Sequence, residues 1–149
     1  MNLENILLLS CRSEYLDSDK VYPPLANLYL HSAIKREHPE VRVTITDDYE
    51  NIDFTPYDMV GISIMTPQRE EAERLKAKIK SQDPNKLVVA GGPHVKYYGQ
   101  EMKGWDIVIP YDGVRVINQI IEGRRDPIMA DKIDSTTYRD WETDRKSVV

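Results

Sequence analysis

Four short apolar runs, each ended by small or turn-forming residues, constrain this chain more than any other feature. They read ILLLS at 6–10, MVGISIM at 59–65, KLVVA at 86–90 and DIVIP at 106–110. Continuous apolar runs of this length are what strands buried on both faces require. A fifth segment, VRVTIT at 41–46, alternates apolar and polar and reads as a half-exposed strand.

Helical patterns fill the gaps between these runs. LANLYLHSAIKRE follows Pro23-Pro24 and offers Leu25, Leu28, Ala33 and Ile34 to a largely buried helix, ended at His38-Pro39. Thr66-Pro67 supplies an N-cap and first helical residue for a helix from Gln68 to about Ser81 that buries Ala72, Leu75 and Ile79. Its acids (Glu70, Glu71, Glu73) precede its lysines (Lys76, Lys78, Lys80), as the helix dipole favours. Gly113 to Glu122 is an amphipathic helix carrying Val116, Ile117, Ile120 and Ile121, closed by Gly123. Strands alternating with helices predict an α/β fold: a flavodoxin-like, Rossmann-type doubly wound parallel sheet of five strands, with helices on both faces. Such folds bind ligands beyond the carboxyl ends of their strands.

The 149 residues suffice for one domain with a hydrophobic core. That domain is read as 1–125. Residues 126–149 are polar, charged and aperiodic, and read as a linker or tail. A net charge of −5 argues against a basic nucleic-acid surface and against docking on an anionic membrane. No apolar stretch is long enough to span a bilayer, and the N-terminal segment lacks a basic leader. Cys11 is the single cysteine, so neither an internal disulfide nor a cysteine metal cluster can form. A cytoplasmic location is the default expectation.

The strand ends gather the residues that could act. They are Ser10-Cys11-Arg12, Ser63-Ile64-Met65-Thr66, Gly91-Gly92-Pro93-His94 and Pro110-Tyr111-Asp112-Gly113. Small residues and hydroxyls dominate, with few acids or bases, which describes a cradle for a large ligand rather than an acid–base centre. Ser63 and Thr66 can hydrogen-bond amide or phosphate groups, and helix starts beyond Thr66 and Gly92 would offer backbone N–H groups to an anion. Gly91-Gly92 allow a close approach to the backbone or a strand-to-loop turn, and both readings stand at this stage. GGPHVK lacks the Lys-Ser/Thr spacing of a P-loop, and no GxGxxG occurs. GISIMT lacks the aspartate of a phosphoacceptor domain. His31, His38 and His94 fall on separate elements without cysteine partners, so no zinc site is expected. Cys11 reads as packing, and no residue is assigned a catalytic role.

PPLANLYLHSAIK, DMVGISIMTPQ, LVVAGGPHV and DIVIPYDGVRVINQIIEG together resemble the N-terminal cobalamin-binding domain of cobalamin-dependent radical S-adenosylmethionine enzymes. The resemblance spans residues 5–123. It implies cobalamin as cofactor, with the nucleotide tail running into the sheet edge and the corrin ring over the strand ends. It implies contacts from Ser10, Arg12, Pro24, Leu25, Ser63, Met65, Thr66, Pro67, Gly91, Gly92, Pro93, His94 and Gly113. The Asp-x-His-x-x-Gly motif of mutase-type cobalamin domains is absent, which implies base-off cobalamin without a histidine ligand. Tyr111-Asp112-Gly113-Val114 stands where the family has Gly-Glu-Gly-Glu, and Ala26 stands for a glycine.

In such enzymes S-adenosylmethionine and a [4Fe-4S] cluster belong to a C-terminal radical domain with a three-cysteine motif, which one cysteine cannot supply. The chain therefore looks like part of a truncated radical methyltransferase or related enzyme, not catalytic alone, with that radical domain as its partner. The ending DRKSVV resembles a translated sequencing adapter, and the natural gene is expected to continue beyond about residue 135; a native stop codon after residue 149 would count against this. Two other readings remain: a degenerate cobalamin-type fold acting as a scaffold, motivated by Tyr111 and Val114, and a flavodoxin-like flavin binder.

Overall fold

A computed structural model describes residues 3–11, 25–110 and 112–129. Five strands form one parallel sheet: β1 (Asn5–Ser10), β2 (Arg42–Thr46), β3 (Met59–Ser63), β4 (Leu87–Gly91) and β5 (Ile107–Val108), in the order β2-β1-β3-β4-β5. This is the flavodoxin-like topology the apolar runs predict. The order reverses between β1 and β3, the switch point at which open α/β sheets form a crevice.

Among the described residues four helices cover the sheet: α1 (Leu25–Glu37), α2 (Arg69–Gln82), α3 (Pro93–Tyr98) and α4 (Gly113–Ile121). Strand side chains alternate between two cores. Leu7, Leu9, Val60, Ile62, Val88 and Ala90 pack with Ala72, Leu75 and Ile79 of α2 and Val95 of α3. Ile6, Leu8, Met59 and Val89 pack with Ala33 and Ile34 of α1 and with Val116, Ile117, Ile120 and Ile121 of α4. Helices therefore lie on both faces, and both core stripes of α2 and α4 are those their periodicity assigns.

Two local expectations change. Leu25 and Leu28 are not buried: α1 rests on the sheet through Ala33 and Ile34, while its first turns overhang the strand ends and leave Leu25 and Leu28 exposed. Thr66 does not cap α2. Thr66–Gln68 form a separate 3₁₀ turn, and Gln68 occupies the N-cap position of α2. The third helix, α3, follows Gly92 directly, where a helix start is expected.

Beyond α4, residues 127–129 run beside β5. Val108 N–H donates to Pro127 O and Met129 N–H to Val108 O, and Met129 is fully buried. These three residues are thus tied to the sheet. Residues 130–149 lie outside the described ones. No helix among the described residues is long and apolar enough to cross a membrane.

Candidate functional site

The register of the sheet builds a slot from missing side chains. Leu8 of β1, Gly61 of β3 and Val89 of β4 stand side by side. Two residues on, about 6.6 Å further along the strands, Ser10, Ser63 and Gly91 form the next row at the carboxyl edge. Alternation points both rows at the α1–α4 face. One row carries a glycine at its centre and the other carries only Ser, Ser and Gly. The sheet therefore has little side-chain volume there, and the helices cannot close the gap.

The result is a cavity of about 280 Å³ between the sheet, α1 and α4. Leu8, Met59, Gly61 and Val89 form its deep wall, Leu30 and Ile117 come from the helices, and Gly91, Gly92 and Gly113 border its mouth. An apolar cavity of about 150 Å³ holds benzene, so this slot has room for a fused two-ring group.

The two adjacent glycines do different work. A Cβ on Gly91 would meet nothing within 4 Å, because it would project into the slot. Gly92 has φ +102°, and a Cβ there would lie 2.7 Å from both Ile64 N and Ile64 O. Gly92 is thus required by the turn, while Gly91 leaves space that no protein atom uses. Gly113 faces α1, where a Cβ would come 3.3 Å from Leu30 Cδ2, so it permits close approach of the two helices at the mouth.

Polar groups at the mouth are mostly engaged with the protein. Asn27 is buried and its Nδ2 donates to Ser10 Oγ at 3.0 Å. Asp112 caps α4, its Oδ1 accepting from Val114 N–H at 3.1 Å. Gln68 braces the rim from behind: its Oε1 accepts from Met65 N–H at 2.9 Å and its Nε2 donates to Cys11 O at 2.7 Å. Ile64 N–H donates to Gly91 O and His94 N–H to Ile64 O, which stitches the β3 and β4 loops together. The His94 amide at the start of α3 is therefore satisfied within the protein rather than free for an anion.

Among the expected contact residues, Ser63, Gly91, Gly92 and Gly113 line the slot, and Ser10 joins it through Asn27. Leu25, Met65, Pro67 and Pro93 are exposed around the strand ends and do not line it. Thr66 and His94 belong to a second, more polar cavity of about 820 Å³ on the opposite face, between α2 and α3. There His94 Nδ1 lies 3.3 Å from Thr66 Oγ1, and its ring stacks on Tyr98 at 4.9 Å. Burial holds this imidazole below its ordinary pKa, and the nearby Arg69 guanidinium adds to the effect. Arg12, Pro24 and Tyr111 lie outside the described residues.

The sequence reading missed Leu8, Gly61 and Asn27, and named Asp112 at a strand end without a role. A glycine inside an otherwise apolar strand was the available signal for Gly61, since it marks close approach of a ligand or backbone.

The B12 binding domain family matches residues 18–119, more than half of the chain. The chain belongs to the B12-binding domain family. Solved structures agree on the fold. The cobalamin-dependent S-adenosylmethionine radical enzyme OxsB, with aqua-cobalamin and S-adenosylmethionine bound, superimposes with a TM-score of 0.61 at 15% identity, over 80% of this chain and 18% of OxsB. OxsB with aqua-cobalamin alone gives 0.60 at 16% identity, over the same shares. The N-terminal domain of a hypothetical protein from Thermotoga maritima gives 0.50 at 22% identity, over 78% of this chain and 98% of that domain. This B12-binding domain thus spans about a fifth of the length of OxsB. No curated protein matches its sequence.

One further group of possible ligands lies at the opposite end of the strands. Glu37, His38 and Glu122 bring their ligand atoms within 4.8 Å of one another. His38 Nε2 is 3.1 Å from Glu122 Oε1 and Nδ1 is 3.5 Å from Glu40 Oε1, so both ring nitrogens face carboxylates of the protein.

Proposed function

We propose that this domain holds cobalamin base-off, with the nucleotide tail in the α1–α4 slot and no histidine below the cobalt, as the cofactor-carrying part of a radical S-adenosylmethionine methyltransferase or related enzyme. The observation that carries the reading is the empty space beside Gly91, at the mouth of a slot that Gly61 lines deeper in. An apolar slot opens at the carboxyl edge of a parallel sheet in a domain of this family. Its volume and apolar lining suit a fused two-ring heteroaromatic group, so the residues present fit the cofactor.

Leu8, Met59 and Val89 would bury the base of the tail. Asn27, Ser63 and Asp112 stand where the sugar and phosphate would leave the slot. Gly91 lets the tail pass close to the β4 backbone, and Gly113 keeps the mouth narrow. Ligation by His94 is disfavoured by its bond to Thr66 and its stack on Tyr98, on the far side of the sheet. The described residues lining the slot include no histidine. Bound there, cobalamin supplies a cobalt centre for methyl transfer or radical rearrangement. The domain's own part is to bind, orient and shield. A radical domain elsewhere in the parent protein would supply S-adenosylmethionine cleavage and its [4Fe-4S] cluster.

The test is titration of the purified chain with hydroxocobalamin, followed by desalting and a visible spectrum. A retained corrin band of base-off form is expected. Folded protein emerging without corrin would overturn the reading in favour of a scaffold that keeps only the fold. A protein purified with a yellow chromophore would point instead to a flavin.

A further inference from the structure

We infer that the slot discriminates among cobamides by the polarity of their lower base, accepting a benzimidazole or phenolic ring and disfavouring a purine. This rests on the tail occupying the slot, as proposed above. The deep wall is Leu8, Met59, Gly61 and Val89, with Ile117 opposite. The backbone N–H and C=O groups of β1, β3 and β4 behind that wall pair with one another in the parallel ladder. They cannot turn to serve a ligand. The polar side chains among the described lining residues are Asn27, Tyr29, Ser63 and Asp112. All four stand at the mouth: two on the first turns of α1, one at the end of β3 and one capping α4. Asn27 is already bonded to Ser10 and Asp112 to Val114 N–H, while Tyr29 is exposed.

A lower base entering this slot therefore meets hydrocarbon at its far edge. The far edge of dimethylbenzimidazole is hydrocarbon, as is that of a cresol. A purine presents two additional ring nitrogens and an exocyclic amine at the same edge. Burying such groups without partners forfeits their hydrogen bonds to water. The loss of one to two such partners corresponds to about 10- to 100-fold in affinity.

The experiment compares four corrinoids by equilibrium dialysis against the full chain: hydroxocobalamin, the adenine-bearing cobamide, the para-cresol-bearing cobamide, and cobinamide, which has no base. Adenine ligates cobalt more weakly than dimethylbenzimidazole. The cost of detaching the base thus favours the adenine form, and weaker binding by that form cannot arise at the cobalt. The expected result is that the adenine form binds about 10- to 100-fold more weakly than cobalamin. The cresol form should bind at least as well as cobalamin, and cobinamide should bind more weakly than both. Equal binding of the adenine and benzimidazole forms, with cobinamide weak, would overturn the inference and leave cobalamin binding intact. Weak binding of the cresol form would overturn it too, since polarity would not then be the discriminator. Cobinamide matching cobalamin would remove the tail from the slot and the inference with it. Retention of no corrinoid at all would overturn the proposed function itself.

Discussion

Gly61 faces Leu8 across the β1–β3 register so closely that a Cβ on Gly61 would stand 2.9 Å from Leu8 Cδ2. The obstructing atom is the end of a flexible side chain, so the strand can tolerate substitution while the slot cannot. Gly61→Val is expected to remain folded, with a stability change within about 2 kcal/mol, because β-branched residues suit strands and Leu8 can rotate. The valine and the displaced leucine would together occupy the deep end of the slot. Corrin retention after desalting should be lost while the urea unfolding transition stays cooperative. A variant that keeps wild-type retention would exclude Gly61 from the ligand's path.

Gly91 and Gly92 are adjacent in sequence but opposite in consequence. Gly92→Ala must place a Cβ at φ +102° against the Ile64 backbone at 2.7 Å, and backbone cannot move aside cheaply. A loss of about 2–4 kcal/mol is expected in chemical denaturation. Gly91→Ala meets no atom within 4 Å and should change stability by less than about 1 kcal/mol. Its expected effect is on cobalamin retention instead. Equal stability losses in the two variants would contradict this division.

The division also marks how far the sequence could be read. The apolar runs are long enough, and Ala72, Leu75 and Ile79 regular enough, to define strands and helices from local pattern. The GG pair could only be read as turn or cradle. Choosing between them for each glycine requires the register that sets Gly91 beside Ser63 and the turn that drives Gly92 into Ile64. The same limit hid the slot floor, because Leu8, Gly61 and Val89 become neighbours only when three separate strands align. Helix α3 has six residues, too few to display a helical period. Leu25 and Leu28 look like core residues by type, but α1 overhangs the sheet edge, which no local pattern reports.

Gln68 supports the rim without touching the slot. Its buried amide satisfies Met65 N–H and Cys11 O at once, joining the ends of β1 and β3. Gln68→Leu keeps the volume and removes both bonds, so a loss of about 1–3 kcal/mol is expected. Gln68→Glu retains the acceptor for Met65 but loses the donor to Cys11, and should be intermediate or worse at neutral pH, where a carboxylate would face a carbonyl. Thermal unfolding of the three proteins checks the order. A Gln68→Leu variant as stable as the parent would show that neither bond contributes.

His94 gives the fold an acid sensitivity with a definite sign. Burial first, and the Arg69 guanidinium second, keep its folded-state pKa below the ordinary 6.5. The unfolded chain therefore binds the proton at higher pH than the folded one. Where the unfolded state holds more protons, stability rises with pH. Both states carry neutral imidazole well above pH 6.5, so the contribution is complete there. It declines as pH falls below about 6.5 and stops declining once the folded imidazole also protonates. Asp53, whose carboxylate is held below its ordinary 3.8 mainly by hydrogen bonds from Thr55, acts in a separate and more acidic window. Replacing His94 with Phe keeps a ring against Tyr98 and removes the titration. Melting temperatures measured from pH 7.5 to 5 should fall more steeply for the parent than for His94→Phe. Parallel profiles would mean that His94 does not couple protonation to folding.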